Sequence, residues 1–291
     1  MSSSTHSSKQ ATAVGFTAIL MWATLALLTE LSGPIPPFQL TALSFSIAFL
    51  IGLGWWWKQG GHIWQKLCLP PAVWGLGVTG LFGYHLLYFI ALEQAPAVEA
   101  SLIAYLWPLL IVLLSTLLPD EPLRWFHIAG AIAGFLGAGL LMTDGRSFQI
   151  DPQYSIGYLA AIGCAVTWSS YSVLSRRFGQ IPTDAVGGFC GATAILAWIC
   201  HFCWESTVWP EQWLAILGLG LGPVGLSFFT WDYGVKHGNI RVLGALSYLA
   251  PLLSTLLLVL CGLATPSWTI AIACGLIVGG ALLAAGDFLQ V

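Results

Sequence analysis

The chain has 291 residues, 57% of them hydrophobic and 7% charged, with a mean hydropathy of +0.84 and a formal net charge of −3. Soluble domains carry about 25% charged residues, so 9 basic and 12 acidic side chains cannot cover a water-facing surface of this size. The basic residues are scattered rather than gathered into a patch, which excludes a nucleic-acid footprint, and the composition identifies an integral membrane protein whose surroundings are the lipid bilayer.

A helix needs about 20 mostly apolar residues to cross the hydrocarbon core. Ten segments qualify: 11–31, 36–57, 69–92, 97–118, 125–143, 155–175, 182–204, 212–235, 240–262 and 268–288. The expected fold is all-α, with ten transmembrane helices. Residues 1–10 are polar and Ser-rich and read as a tail. The apolar run after them has spanning length and no small-x-small cleavage site, so it is expected to be the first membrane helix and not a removed signal. The connections are short and carry Pro, Gly or charge.

With the N-terminus placed in the cytoplasm, Lys9, Lys58, Lys66, Arg124, Arg176, Arg177, Lys236 and Arg241 all fall on the cytoplasmic side, and only Arg146 falls outside. That asymmetry fits the positive-inside rule and puts both termini in the cytoplasm.

The two halves repeat. Ala104-Tyr-Leu-Trp-Pro108 in the fourth segment returns as Ser247-Tyr-Leu-Ala-Pro251 in the ninth, so that Tyr105 pairs with Tyr248 and Pro108 with Pro251, each 143 positions apart. Trp125 and Trp268 open the fifth and tenth segments at the same offset, and Trp22-Ala-Thr in the first resembles Trp168-Ser-Ser in the sixth. Five helices per half is an odd number, so the second half enters from the opposite side. The domains expected are therefore the tail at 1–10, a first five-helix repeat at 11–143 and a second, inverted repeat at 155–289.

Proline inside a helix removes a donor and collides with the carbonyl four residues back. In lipid such a break survives only against protein or a wet cavity. Two broken helices at corresponding places in inverted halves point to a transporter's central site. Around the breaks, Leu81, Tyr84, His85 and Tyr88 form one helical stripe, as do Trp168, Tyr171, Ser172 and Ser175, and Gly244, Ser247, Tyr248 and Pro251. Tyr105 and Trp107 are about 200° apart on an ideal helix and share one cavity only if the chain unwinds near Pro108. These stripes outline an aromatic-walled cavity for an amphipathic solute carrying a ring, although tryptophan and tyrosine also mark interfaces and fill packing gaps. The expected lining is Tyr84, His85, Tyr88, Tyr105, Trp107, Trp168, Ser247 and Tyr248. Freed carbonyls near Ala104 and Ser247, with the Ser247 hydroxyl, are candidates for an ammonium group. Pro108 and Pro251 are hinges or fixed bends.

His85 is either a proton carrier or, the favoured reading, a neutral ring bonded to a tyrosine across helices. Glu99 and Asp232 lie near helix ends and are expected to be solvated. No segment holds a central carboxylate, which argues against an Asp or Glu proton relay. No Lys or Arg is central either, which disfavours phosphorylated solutes. Cys200 and Cys203 form a C-x-x-C without a second pair, and the seven cysteines read as small apolar helix residues. Gly75-Leu-Gly-Val-Thr-Gly80 follows no strand, so it is not a dinucleotide loop. Gly130/Gly134 and Gly275/Gly279 read as close packing of helices, within the fold or between subunits, and leave the oligomeric state open. Glu121 is a solvated turn charge or a cap. No nucleophile–base pair, metal cluster or cofactor motif stands out, so an enzyme is not expected, and neither is a cofactor or a bound metal.

The whole pattern resembles the drug/metabolite transporter superfamily with two EamA-type repeats, on Trp22-Ala-Thr, Asp120-Glu121-Pro122 and the Gly-rich fifth and tenth segments. More narrowly, Val98-Glu99, Ala104 to Pro108, His237-Gly-Asn239 and Ser247 to Pro251 are similar to the aromatic amino acid exporters of that superfamily. The resemblance implies a bacterial inner-membrane carrier exporting phenylalanine, tyrosine and tryptophan, with other amino acids or other small hydrophobic metabolites as alternatives. An intramembrane enzyme or receptor is the non-transport alternative.

Overall fold

The computed structural model describes residues 2–60, 63–119, 123–146 and 150–285, with side chains from residue 7 onward. Among the described residues, nine helices are long and apolar enough to cross a membrane: α1 Ser7–Leu31, α2 Pro37–Gln59, α3 Pro71–Gln94, α4 Ala97–Leu117, α5 Trp125–Thr143, α6 Pro152–Phe178, α7 Thr183–Trp204, α8 Trp213–His237 and α9 Ile240–Leu260. A shorter apolar helix, α10 Trp268–Ala284, completes ten. The acidic turn Asp120-Glu121-Pro122 and the expected end of the tenth segment past residue 285 lie outside the described residues. Helical backbone already begins at Ser2, so the polar tail prolongs α1.

Helix starts follow local chemistry. Pro37 and Pro71 stand in the first turn of α2 and α3, where a missing N–H costs nothing. The Asn239 side chain accepts the Val242 amide at the start of α9, and the Ser267 hydroxyl accepts the Ile270 amide at the start of α10, as N-caps do.

The packing is two-fold. α1 lies against α8 and α6 against α3, α2 against α7, and α5 against α10. Exchanging the two halves maps each of these pairs onto its counterpart, as inverted repeats require. Glycines set the closest crossings. A Cβ on Gly15 would stand 2.9 Å from the Gly234 Cα, and one on Gly52 would stand 2.7 Å from the Gly187 Cα. Gly130 and Gly134 face α10 and Tyr248 inside the bundle, whereas Gly275 and Gly279 meet nothing within 4 Å.

Five helices depart from regular α geometry. α4 is interrupted at Tyr105-Leu106, between Ala97–Ala104 and Trp107–Leu114. α9 is interrupted at Ser247-Tyr248, between Ile240–Leu246 and Leu249–Leu260. α1 turns at Ala23-Thr24. α3 and α8 each carry one wide π turn, Thr79–Gly83 and Gly222–Leu226, a form concentrated at functional sites. The two π turns lie 143 positions apart, the same offset as the prolines.

The end of the bundle holding the N-terminus is bound by polar links. Lys66 pairs with Asp184 and Lys236 with Asp232, both at 2.8 Å. The Thr183 hydroxyl donates to Asp232 at 2.8 Å, and Arg176 donates to the Gly238 carbonyl at 2.7 Å. Asp232 is buried, which corrects the expectation that it is solvated. Position alone put it near a helix end, but Lys236 one turn on and Thr183 across the interface let the carboxylate lie inside. At the opposite end the Glu205 carboxylate accepts the Phe38 and Gln39 amides at 2.8 and 3.0 Å, with His201 beside it at 2.8 Å. This joins α7 to the first turn of α2, where a negative charge meets the helix dipole.

Candidate functional site

Pro108 has no N–H for the Ala104 carbonyl, and α4 opens three residues before it. The opening solves the orientation problem set by the sequence. Tyr105 and Trp107 come within 6.4 Å between ring centroids, and Trp107 turns into the bundle. The backbone cost is met across the repeat: the Leu109 amide, cut off from a regular helical partner, donates to the Tyr248 hydroxyl at 3.1 Å.

Four tryptophans from four helices meet at this level. Trp22, Trp107, Trp168 and Trp231 touch in every pairing, with centroids 5.0 to 6.3 Å apart. Most of the pairs are edge-to-face, the arrangement favoured by the ring quadrupole. Two of the indoles are fixed by hydrogen bonds. Trp22 donates to the Ser227 hydroxyl at 3.1 Å and Trp231 to the Ser172 hydroxyl at 3.0 Å. Toward the end away from the N-terminus, Tyr84 leans on Trp168 at 5.6 Å and stacks with Tyr88 at 6.1 Å. Tyr88 shares a hydrogen bond with Ser101 at 2.9 Å, joining α3 to α4. Phe45 and Phe228 stack at 5.4 Å and close the other side against His85.

Exposure changes along this axis. Trp231, Tyr171, Trp168 and Trp107 are buried. Tyr84, His85, Tyr88 and Tyr105 stay partly accessible although they contact rings of other helices. The rings form a buried tryptophan floor flanked by partly accessible tyrosine and histidine rings and by phenylalanine, a group termed the cup.

His85 does not bond a tyrosine. Its Nδ1 lies 2.7 Å from the carbonyl of Leu81, one turn back on α3. That contact places the proton on Nδ1 and leaves Nε2 an acceptor in the neutral ring. The π turn Thr79–Gly83 immediately precedes this stretch.

The structure therefore brings Tyr84, His85, Tyr88, Tyr105, Trp107 and Trp168 together. It does not bring Ser247 and Tyr248 to the same rings. The Ser247 hydroxyl donates to the Leu243 carbonyl at 2.7 Å, and the Ser247 carbonyl accepts the Ala250 amide at 3.1 Å. Tyr248 is buried against Gly134 and Phe135 of α5. Both support the break in α9 from behind. Four rings of the cup were not singled out as lining from sequence: Trp22, Phe45, Phe228 and Trp231. The 143-residue offset carries the signal for two of them, since it pairs Tyr88 with Trp231 and His85 with Phe228.

Two crevices lie elsewhere. One of about 330 Å³ is lined by Lys9, Thr12 and apolar residues of α1, α9 and the α10 end of the chain, and one of about 450 Å³ by Lys66, Asp184, Tyr233, His237 and their neighbours. Among the described residues no three His, Cys, Asp or Glu side chains gather as a metal site would need.

The EamA-like transporter family matches residues 10–143 and again residues 155–286. The chain belongs to that family. It is 54% identical over 281 residues to a protein named aromatic amino acid exporter YddG from Ancylobacter novellus, covering 96% of this chain and 98% of that one. It is 22% identical to the protein of the same name from Salmonella typhimurium, over 86% of this chain and 88% of that one. A solved crystal structure with 53% identity superposes with a TM-score of 0.92, covering 97% of this chain and 98% of the other. As an EamA-like transporter the chain is a multi-pass membrane protein built from two five-helix repeats, and its ring cup lies beside the break in α4.

Proposed function

We propose that this EamA-like transporter exports aromatic amino acids across a bacterial inner membrane by alternating access. The observation that carries the reading is the cup itself. Trp107, Trp168, Tyr84 and Tyr105 offer faces and edges to a solute ring at mid-membrane depth, without a cation or carboxylate in the cup to select a charged side chain. The near full-length similarity to an exporter of that name supports the same substrate class.

In this reading the α-ammonium group meets acceptors: Nε2 of His85, the Tyr88 and Ser101 hydroxyls, and the Ala104 carbonyl that Pro108 leaves without a donor. The rings exclude water from the side chain. Tyr248 and Ser247 hold the break rather than touch the solute, and Pro108 and Pro251 serve as hinges. The end bearing Lys66, Arg176, Arg177 and Lys236 faces the cytoplasm, on the positive-inside argument, with both termini on that side. Its polar links close that end, and the solute leaves toward the other.

The test is efflux of labelled phenylalanine from loaded proteoliposomes, with Trp107→Ala and Tyr105→Ala beside the unmodified protein. Loss of flux in either variant, with both still inserted and monodisperse, is the expected result. Unchanged flux in both rejects the site. Competition by unlabelled aromatic against aliphatic amino acids separates this reading from export of other hydrophobic metabolites.

A further inference from the structure

The two helix breaks are equivalent in sequence but not in hydrogen bonding: the Tyr105 amide still donates four residues back, to Ser101, whereas the Tyr248 amide donates three back, to Ala245. Tyr105 closes the first half-helix of α4 as its C-cap, whereas Tyr248, 143 positions on, opens the second half-helix of α9 as its N-cap. The breaks are thus one residue out of register. The consequence appears at the amides that follow. Leu109 is the third residue of its half-helix, one of the donors a helix start leaves without an internal partner. Leu106, at the N-cap, has no side-chain acceptor to offer, and the Tyr248 hydroxyl fills the place at 3.1 Å. The counterpart of Leu109 in the second repeat is Leu252. Among the described residues, the hydroxyl of Tyr105 makes no such bond to the Leu252 amide. Yet Tyr105 already packs against the buried cluster that contains both Tyr248 and Leu252.

Inverted repeats place two symmetry-related gates around one site, so the opposite access state is available by each half adopting the geometry that the other holds now. Resting on the transport reading, we propose that Tyr248 and Tyr105 are reciprocal positioning residues. In the state described here Tyr248 caps Leu109 and holds α4 open. In the opposite state Leu109 returns to its own helix, α9 opens one residue later, and the Tyr105 hydroxyl caps Leu252. The same movement draws Tyr105 out of the cup and away from Trp107. Release of solute and the change of access then share one side chain. The hydroxyls carry the exchange and the rings only pack, so removing a hydroxyl leaves the core filled while moving the balance of states.

The direct test reads conformation without substrate. Spin labels go on Leu31→Cys and Val98→Cys, exposed positions at the outer ends of α1 and α4. The exposed native cysteines Cys68, Cys203 and Cys261 are changed to Ser, and distances are measured in liposomes. One hydrogen bond made in only one state shifts a two-state ratio about two- to tenfold. Tyr248→Phe is expected to deplete the present state by that factor and Tyr105→Phe to enrich it, with the double variant returning near the unmodified ratio. Opposite-signed shifts support the exchange. Any other pairing, including two shifts of one sign or none, overturns it. Should Tyr248→Phe fail to fold, Tyr105→Phe alone decides: enrichment supports the proposal, and no change or depletion overturns it. Failure of the amino-acid reading would appear in efflux and leave these distances as they are.

Discussion

The indole N–H of Trp231 donates to the Ser172 hydroxyl at 3.0 Å, and that hydroxyl in turn donates to the Trp168 carbonyl at 2.9 Å. One serine thus ties Trp231 of the floor, on α8, to α6, the helix that bears Trp168 of the same floor. Ser172→Ala removes the bond and leaves a buried indole donor without a partner, at a cost of about 1–3 kcal/mol. The floor loosens while the rings remain. The expected outcome is a KM for phenylalanine raised about threefold to tenfold, with a modest loss of thermal stability and normal insertion. Ser172→Thr keeps the acceptor and should restore most of the affinity. Equal KM values in all three proteins would show that the tie does not shape the site.

The ion pair of Asp232 with Lys236 lies inside the protein, with side chains 2% and 5% exposed. Breaking a buried pair from one side leaves an uncompensated charge and typically costs about 3–5 kcal/mol. Lys236→Met should therefore lower the melting temperature sharply. Asp232→Leu combined with Lys236→Met removes both charges and should recover most of that loss. If the single and double variants melt together, the pair contributes nothing to closing this end of the bundle.

Gly130 and Gly279 make opposite predictions from the same residue type. A Cβ at Gly130 would enter the backbone of α10 at Gly280 and Ala284, whereas one at Gly279 meets nothing within 4 Å. Gly130→Ala should destabilise by about 1–3 kcal/mol through overpacking. Gly279→Ala should be neutral, or more stable by up to about 1 kcal/mol, because glycine is a poor helix former. Thermal unfolding in detergent measures both. Equal effects at the two sites would mean that the α5–α10 contact does not depend on the glycine seam.

Much of this architecture is legible in the sequence because lipid imposes few solutions. Ten apolar runs and the Pro108/Pro251 pair each report a constraint that the backbone cannot evade in hydrocarbon. The cup is only half legible. Tyr84, His85, Tyr88 and Trp168 fall on visible stripes, but Trp231 and Phe228 occupy the places of Tyr88 and His85 in the second repeat with a different residue type. A comparison by identity passes over them, whereas a comparison by position finds them. Tyr248 misleads for the converse reason. It shares its residue type with Tyr105, yet the repeats hold different conformations, so equal residues have unequal surroundings. The π turns at Thr79–Gly83 and Gly222–Leu226 leave no residue signature beyond glycine and, in one of them, Pro223.

The surroundings of His85 predict that transport does not draw on a proton gradient. Its Nδ1–H is committed to the Leu81 carbonyl at 2.7 Å, and the ring stands edge-on to Phe45 at 5.2 Å. A second proton would place a full charge among Phe45, Phe228 and Tyr84, where no carboxylate faces it among the described residues. An unpaired charge in such surroundings is costly, so the ring is expected to stay neutral throughout transport and to act as an acceptor at Nε2. Phenylalanine flux in sealed vesicles should then be the same with and without an imposed pH gradient. His85→Gln, which keeps an acceptor, should retain more activity than His85→Leu, which does not. A flux that rises several-fold with the gradient and loses that response in His85→Gln would instead make His85 the proton carrier.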